Sequence, residues 1–592
     1  MSTAIVTGQP VHGSSLESDL RALGFEVCVA SDSAGTADLL AGVPADRRVA
    51  VVDARFVGHV HALRLGLTDP RFPLAAIPGA VTAQPAGRQA LSRALTREAS
   101  TGGGTALAVD GIVTDLDADV HRPELGSLVA AVPTDPQARN EARQAVAAVD
   151  DEAVRLKSAV KSRDGFFTTF FVSPYSRYLA RWCARRGLTP NQVTTASLLT
   201  ALIAAGCAAT GTRAGFVAAG VLLIASFVLD CTDGQLARYS LQYSTLGAWL
   251  DATFDRAKEY AYYAGLALGA ARGGDDVWAL ALGAMILQTC RHVVDFSFNE
   301  ANAGDPAAGA GPTAALSDKL DGVGWTVWVR RMIVLPIGER WALIAVLTAA
   351  TTPRITLCVL LAGCAFAATY TTAGRVLRSL TRKATSTDRA TKALADLADS
   401  GPLAGFVARA MPAPLGSPLL VALAGVAVLT LSLFSGVTWA PVAGAVVYAL
   451  ACGQALARPL KGALDWLVPP LFRAAEYGTV LILASKSEVN GTLPAAFGLV
   501  AAVAYHHYDT VYRIRGNAGA PPVWLVRAIG GQEGRTLLVT VVAAVLTAAQ
   551  FKVALTVLAV AVAGLVLVES IRFWVSSHLG GAPAVHDEGE PA

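Results

Sequence analysis

The stretch from Leu229 to Tyr260, LDCTDGQLARYSLQYSTLGAWLDATFDRAKEY, carries four aspartates in two pairs. Asp230 and Asp233 are three residues apart and Asp251 and Asp255 are four apart, so each pair lies on one face of its own helix. The flanking sequence is apolar, and carboxylates at a membrane boundary are costly unless they are paired or coordinate something. Two antiparallel helices joined by Tyr239 to Leu246 can bring the four acids to one depth. There they repel one another unless cations neutralise them, and two Mg²⁺ or Mn²⁺ ions suit that charge and that oxygen-only donor set. Gly234 and Ala237 remove bulk one turn below the acids, which lets a phosphate-bearing group approach the backbone. Arg238 stands beside it for phosphate oxygens.

The elements that must position these acids are membrane helices. With 592 residues, 53% of them hydrophobic, and a mean hydropathy of +0.47, the chain is too long for one domain and too apolar for an ordinary soluble protein. The expected fold is a mainly α-helical polytopic membrane protein with an N-terminal α/β soluble domain. About 12 transmembrane helices are expected, in two six-helix halves. The first residues lack a secretory signal, which predicts a cytoplasmic head. Eight cysteines show no CxxC pairing and read as small buried hydrophobes. A net charge of +3 says little by itself, and no nucleic-acid partner is expected.

Residues 1–135 alternate short β-rich runs (TAIVTG, EVCVA, RVAVVDA, PLAAIPG) with helix-like stretches, which predicts a parallel, Rossmann-like α/β sandwich. Gly102 to Gly104 do not form a GxGxxG between strand and helix, no P-loop is present, and Arg55 stands where a second acid beside Asp53 would serve a nucleotidyltransferase. The head therefore reads as structural or regulatory. Residues 136–190 form a charged connector and an amphipathic juxtamembrane helix in which Phe166, Phe167, Phe170, Phe171, Tyr175, Tyr178 and Trp182 interleave with Arg177, Arg181, Arg185 and Arg186. Six apolar segments fall within 191–385. Their flanks collect Arg238, Arg256, Lys258, Arg291, Arg330, Arg331, Arg375, Arg378, Arg382 and Lys383 on the aspartates' side, which the positive-inside rule makes cytoplasmic. The expected location is the plasma membrane, with site and head facing the cytoplasm.

The pattern Asp230-x2-Asp233-Gly234-x2-Ala237-Arg238-x8-Gly247-x3-Asp251-x3-Asp255 resembles the signature of the CDP-alcohol phosphotransferase family at every fixed position. Thr189-Pro190-Asn191-Gln192-Val193-Thr194 resembles that family's entry motif. The resemblance covers about residues 165 to 385 and implies transfer of a substituted phosphate from a CDP-alcohol, such as CDP-diacylglycerol or CDP-inositol, to a hydroxyl acceptor, with release of CMP. It implies that Asp230, Asp233, Asp251 and Asp255 hold two ions and that Asp255 is also the general base. Thr189, Pro190, Asn191, Gln192, Gly234, Ala237, Arg238, Ser244 and Gly247 would contact the CDP-alcohol. Arg375 and Arg378, three apart at the end of the sixth segment, would grip the phosphate of a phosphorylated polyol acceptor. The fused layout looks like enzymes whose heads are cytidylyltransferases, but this head lacks their glycine-rich start and lysine.

After a linker at 386–412, a second apolar region at 413–578 echoes the first, and 579–592 reads as a disordered acidic tail. GQLAR at 234–238 is answered by GQALAR at 453–458, GAWLD by GALDW at 462–466 and RAKEY by RAAEY at 473–477. His292 to Asp295 is answered by His506 to Asp509, and VRRMIVLPIGER by VRAIGGQEGR at 526–535. Cys452 and Ala449 stand where Asp233 and Asp230 would be, which predicts an inactive copy packed against the active one as an internal pseudo-dimer; a homodimer is the other arrangement. The competing reading is a non-catalytic cation-binding transporter or scaffold. It fits poorly with acids at the cytoplasmic edge and none matching them in the second half.

Overall fold

A computed structural model describes residues 2–9, 11–69, 71–101, 109–116, 119–161, 164–302, 328, 332–381, 387–411, 416–516 and 518–579. Gly102 to Gly104, Arg330, Arg331, Arg382, Lys383 and the tail from 580 lie outside the described residues.

The head contains β1 (Ser2–Thr7), α1 (Leu16–Ala22), β2 (Phe25–Ala30), α2 (Ser33–Gly42), β3 (Val49–Asp53), β4 (Val57–Gly58), α3 (Val60–Thr68), β5 (Leu74–Ile77), β6 (Ala80–Ala83), α4 (Arg88–Thr101), α5 (Val109–Thr114) and β7 (Ala130–Ala131). The four expected β-rich runs become β1, β2, β3 and β5. The main sheet has the order β2-β1-β3-β6-β5. β1 is parallel to β2 and β3, while β6 runs antiparallel to both β3 and β5. The expected all-parallel sandwich is therefore a mixed sheet. The reason is local: Pro78 and Gly79, the latter at φ +76°, turn the chain back at once after β5, and a connection that short can only join antiparallel strands. Both sheet faces are covered. Val49 and Val51 pack toward Leu91 and Leu95, while Ala50 and Val52 pack toward Leu16, Leu20, Leu63 and Leu67.

Two connector helices follow, α6 (Pro136–Ala147) and α7 (Asp151–Ser158). Each is capped by an aspartate, Asp135 accepting from Ala138 N at 2.8 Å and Asp150 from Ala153 N at 3.0 Å. α8 (Ser173–Arg185) leaves Tyr175, Tyr178 and Trp182 exposed, with Phe170 and Phe171 exposed just before it. That face suits a helix lying along a bilayer surface. The helix is also tied to the connector, because Arg181 and Arg185 both pair with Glu152 at 2.9 Å.

The first membrane region comprises α9 (Pro190–Ala209), α10 (Arg213–Ser240), α11 (Thr245–Arg272), α12 (Trp278–Asn302) and the helices Ile337–Ala350 and Pro353–Thr381. α11 crosses α9 closely because Gly265 and Gly269 lack side chains. A Cβ there would stand 2.4 Å from the Ala205 carbonyl oxygen and 2.1 Å from that of Ala208. The second region contains helices Pro418–Leu433, Ala440–Ala455, Val468–Lys486, Thr492–Arg515, Gly531–Val545 and Ala548–Leu579. Among the described residues, five helices are long and apolar enough to cross a membrane: α9, α10, Pro353–Thr381, Asp465–Lys486 and Ala548–Ser577. Pro418–Leu433 and Ala440–Ala455 are apolar but shorter. α11 falls outside that set because its first half carries Asp251, Asp255, Arg256, Lys258 and Glu259. The stretch expected as a linker contains two short helices, Asp388–Leu397 and Pro402–Ala410, which bury Ala393, Leu394, Leu397, Ala404 and Val407.

The two regions repeat interactions as well as residue order. Glu259 is bound by Arg256 at 3.3 Å and Arg340 at 3.1 Å; Glu476 is bound by Arg473 at 3.0 Å and Arg535 at 2.6 Å. Gln235 accepts from Ser176 of α8 at 2.8 Å, and Gln454 donates to the carbonyl of Met411, just past Pro402–Ala410, at 2.8 Å. Glu339 accepts from Phe167 N at 3.3 Å and Glu533 from Ala404 N at 3.0 Å. Each motif glutamate thus ties the middle of its region to the segment leading into it.

Candidate active site

α10 ends where Leu241 enters the left-handed region at φ 50°. α11 starts at an N-cap formed by Ser244, whose Oγ accepts from Gly247 N at 2.9 Å. This short reversal sets the last turns of α10 against the first turns of α11 and brings their acids together. One carboxylate oxygen each from Asp230, Asp233 and Asp251 lie within 4.8 Å of one another. Asp255, one turn further along α11, lies 2.7 Å from Lys258 Nζ. The same ammonium bonds to Asp230 and donates to Ser197 Oγ at 3.2 Å. Lys258 thus bridges the two helices from a fully buried position. It stands in the sequence as one more basic residue flanking an apolar segment; its spacing of three from Asp255, on the same helix face, is the signal that could have singled it out.

Several carboxylates share one buried site with a single ammonium, so negative charge remains uncompensated. Among the described residues, none hydrogen-bonds the buried Asp233 Oδ2. A buried unpaired carboxylate oxygen is costly, and a hard divalent cation held by oxygen donors supplies what it lacks. The residues fit such ions.

The expected substrate contacts surround this cluster in part. Thr189 and Gln192 form a reciprocal capping box, Thr189 Oγ1 accepting from Gln192 N at 3.4 Å and Gln192 Oε1 accepting from Thr189 N at 3.0 Å. With Pro190 at the first helical position, this explains locally why α9 begins there. Asn191 meets the start of α11: a Cβ on Gly247 would lie 2.7 Å from Asn191 Oδ1 and 2.8 Å from Ser244 Oγ. Gly234, by contrast, faces open space bounded by the Arg238 guanidinium, 3.5 Å from where its Cβ would be. Ala237, half-buried, lies on the same last turns of α10. Arg238 Nε donates to the Ala159 carbonyl at 2.6 Å, which ties α10 to the connector. Arg375 is held by Asp295 of α12, and Arg375 and Arg378 lie 5.4 Å and 5.8 Å from the Phe298 ring centre. All eight cysteines are free, including Cys231 beside Asp230.

Behind the acids, α11 rests on the second region. The Arg256 guanidinium lies 4.7 Å from the Tyr508 ring centre and Trp249 stacks on Trp574 at 6.2 Å. In front, the loop is covered by the head. Burial pushes the Tyr243 phenol above its ordinary range, with Arg71 opposing that shift.

Comparison with known proteins agrees with this geometry. Residues 187–350 match the family model described as CDP-alcohol phosphatidyltransferase, and residues 388–592 match a family of unknown function, DUF5941. The chain is 38% identical over 111 residues to a phosphatidylinositol phosphate synthase of Streptomyces avermitilis, covering 19% of this chain and 43% of that one. It is 31% identical over 114 residues to a bifunctional IPC transferase and DIPP synthase of Aquifex aeolicus (19% and 26%). It is 30% identical over 113 residues to an archaetidylinositol phosphate synthase of Pyrococcus horikoshii (19% and 58%). The chain thus spans between about a quarter and three-fifths of the length of these relatives. With the motif complete and its acids converging on one buried point, residues 187–350 are a CDP-alcohol phosphatidyltransferase domain.

Proposed function

We propose that this chain transfers a substituted phosphate from a CDP-alcohol to the hydroxyl of a phosphorylated polyol and releases CMP, in phospholipid or inositol-phosphate synthesis. The observation that carries the reading is the convergence of Asp230, Asp233 and Asp251 within 4.8 Å, with Asp255 beside them on the same helix as Asp251. Asp230, Asp233, Asp251 and Asp255 hold two Mg²⁺ or Mn²⁺ ions, which when bound polarise the diphosphate and neutralise the carboxylates. Asp255 takes the proton of the acceptor hydroxyl. The hydroxyl oxygen forms a bond to the phosphorus bearing the alcohol, the bond from that phosphorus to the bridging oxygen breaks, and CMP leaves with the electron pair. Thr189 to Gln192, Gly234, Ala237, Arg238, Ser244 and Gly247 line the donor's path, and Arg375 and Arg378 offer the acceptor phosphate their guanidinium groups once Asp295 releases Arg375. That the relatives named above include a phosphatidylinositol phosphate synthase and an archaetidylinositol phosphate synthase supports a phosphorylated inositol as the acceptor.

In this reading the chain crosses the plasma membrane with about twelve helices in two halves, head and site on the cytoplasmic face. The second half is a catalytically silent duplicate, supported by the matching Glu259 and Glu476 ion pairs. The test is CMP release by the purified protein with Mn²⁺, CDP-diacylglycerol and, in turn, inositol phosphate, glycerol phosphate and inositol. Acceptor-dependent CMP that disappears in Asp255→Asn is the expected result; release that survives the substitution overturns it.

A further inference from the structure

The four residues between α10 and α11, Leu241 to Ser244, join the two halves of the aspartate motif, and their conformation is not one the loop would favour alone. Leu241 sits at φ 50°, ψ 38°, which costs a non-glycine residue on the order of 1 kcal/mol. The contacts that oppose this cost come from outside the membrane domain. Arg64 of α3 donates through Nη2 to the Ser240 carbonyl at 2.5 Å. Arg71, just after α3, lies 4.1 Å from the Tyr243 ring centre. It is aimed there by Asp69, a buried carboxylate that it grips through Nε at 3.0 Å and Nη2 at 2.7 Å. From the connector, Arg155 lies 4.2 Å from the Tyr239 ring centre and donates to the Tyr239 carbonyl at 3.3 Å. Leu156, Ala159 and Tyr239 form a small buried cluster beneath it.

These contacts fall on the last turn of α10, which leads into the loop, and on Tyr243 within it; the loop ends in Ser244, the N-cap of the helix bearing Asp251 and Asp255. A planar guanidinium over an aromatic face and a donor on a helix-terminal carbonyl are both strongly directional, so they fix where the loop lies. In the reaction assigned above, Ser244 at the end of this loop and Gly247, whose N–H it caps, line the donor's path.

We propose that the N-terminal head acts as a clamp on the loop 241–244, with Arg64 and Arg71 as positioning residues that set donor affinity in the reaction assigned above. The inference rests on that assignment for its kinetic consequence but not for the clamp itself. It gives a head without a nucleotide motif a direct role in its neighbour's catalysis.

The experiment uses the full chain in detergent and compares wild type with Arg64→Ala/Arg71→Ala, Tyr243→Ala and Tyr243→Phe. Amide hydrogen exchange of 239–246 is read first, because it requires no turnover. The double variant and Tyr243→Ala are expected to exchange at least about tenfold faster there, with the rest of α10 and α11 unchanged, and Tyr243→Phe, which keeps the ring, to recover protection. CMP release is then expected to show KM for the CDP-alcohol raised about tenfold, with kcat and acceptor KM within about twofold of wild type. Unchanged exchange in the loop overturns the clamp. Faster exchange with unchanged donor KM overturns its role in donor affinity. A wild-type protein that releases no CMP refutes the proposed reaction while the exchange data still decide the clamp. General loss of protection throughout α10 and α11 shows that the arginines hold the fold rather than the loop, and also overturns the proposal.

Discussion

Lys258→Met tests the electrostatics of the aspartate cluster without altering a carboxylate. The ammonium is completely buried and lies 2.7 Å from Asp255 while also bonding to Asp230. At 2.7 Å and an effective dielectric near 20, one such attraction is about 6 kcal/mol. Lysine desolvation opposes it, and loss of one partner from a buried pair typically costs about 3–5 kcal/mol. Methionine keeps most of the volume, so the cavity contribution is small. In EDTA the variant should therefore unfold on the order of 10 °C below wild type, taking roughly 2–4 °C per kcal/mol. The formal charge of Asp230, Asp233, Asp251, Asp255 and Lys258 changes from −3 to −4, four carboxylates with and without one ammonium. Divalent cations should then bind the variant more tightly and recover more of its stability than they add to wild type. The assay is thermal unfolding in detergent with EDTA and across a Mg²⁺ or Mn²⁺ titration. An equal deficit in EDTA and saturating metal would refute the reasoning, because it would mean that Lys258 stabilises by packing and not as a counter-charge.

Other outcomes follow from separate parts of the molecule. Gly247→Ala places a methyl group 2.7 Å from Asn191 Oδ1 and 2.8 Å from Ser244 Oγ; it should raise KM for the CDP-alcohol by about tenfold or more while Tm moves only a few degrees, as initial rates and unfolding would show. Glu476→Gln leaves Arg473 and Arg535, both buried, with Asp399 as their shared carboxylate. A loss of about 3–5 kcal/mol is expected, and CMP release by the protein that remains folded should stay near wild type if the second region is a scaffold. In the head, burial lowers the pKa of His61 from 6.5 to about 4, partly opposed by Asp151. The unfolded chain binds the proton first, so the head's stability is constant above about pH 6.5 and falls as pH drops from 6.5 toward 4. Hydrogen exchange of α3 at pH 7 and 5 reads this, and His61→Leu should flatten the difference.

The chemistry of this chain was legible in its sequence because it is written locally. Asp230 to Asp255 span two helices joined by one turn, so spacing alone brings the acids together, and Thr189 to Gln192 announce a helix start through their capping box. What was not legible depends on partners far away in the chain. The role of Lys258 appears only when α10 and α9 bring Asp230 and Ser197 to it. That Arg375 pairs with Asp295, 80 residues earlier, is likewise invisible in the sequence. The end of α10 is bound by Arg64, 176 residues from its acceptor on Ser240. Lys258 and Arg375 stand among the basic residues that flank the apolar segments, and Arg64 lies in the head, so none of their distant partners can be read from the residues beside them. The antiparallel β6 escaped for a related reason: Ala80 to Ala83 is four residues long and follows β5 directly, and it is a separate strand because the turn at Gly79 lays it between β3 and β5. The echo between the two regions lies between these cases. Its residue order is visible in sequence, whereas the matching ion pairs need the fold: Glu476 binds Arg473 and Arg535 as Glu259 binds Arg256 and Arg340.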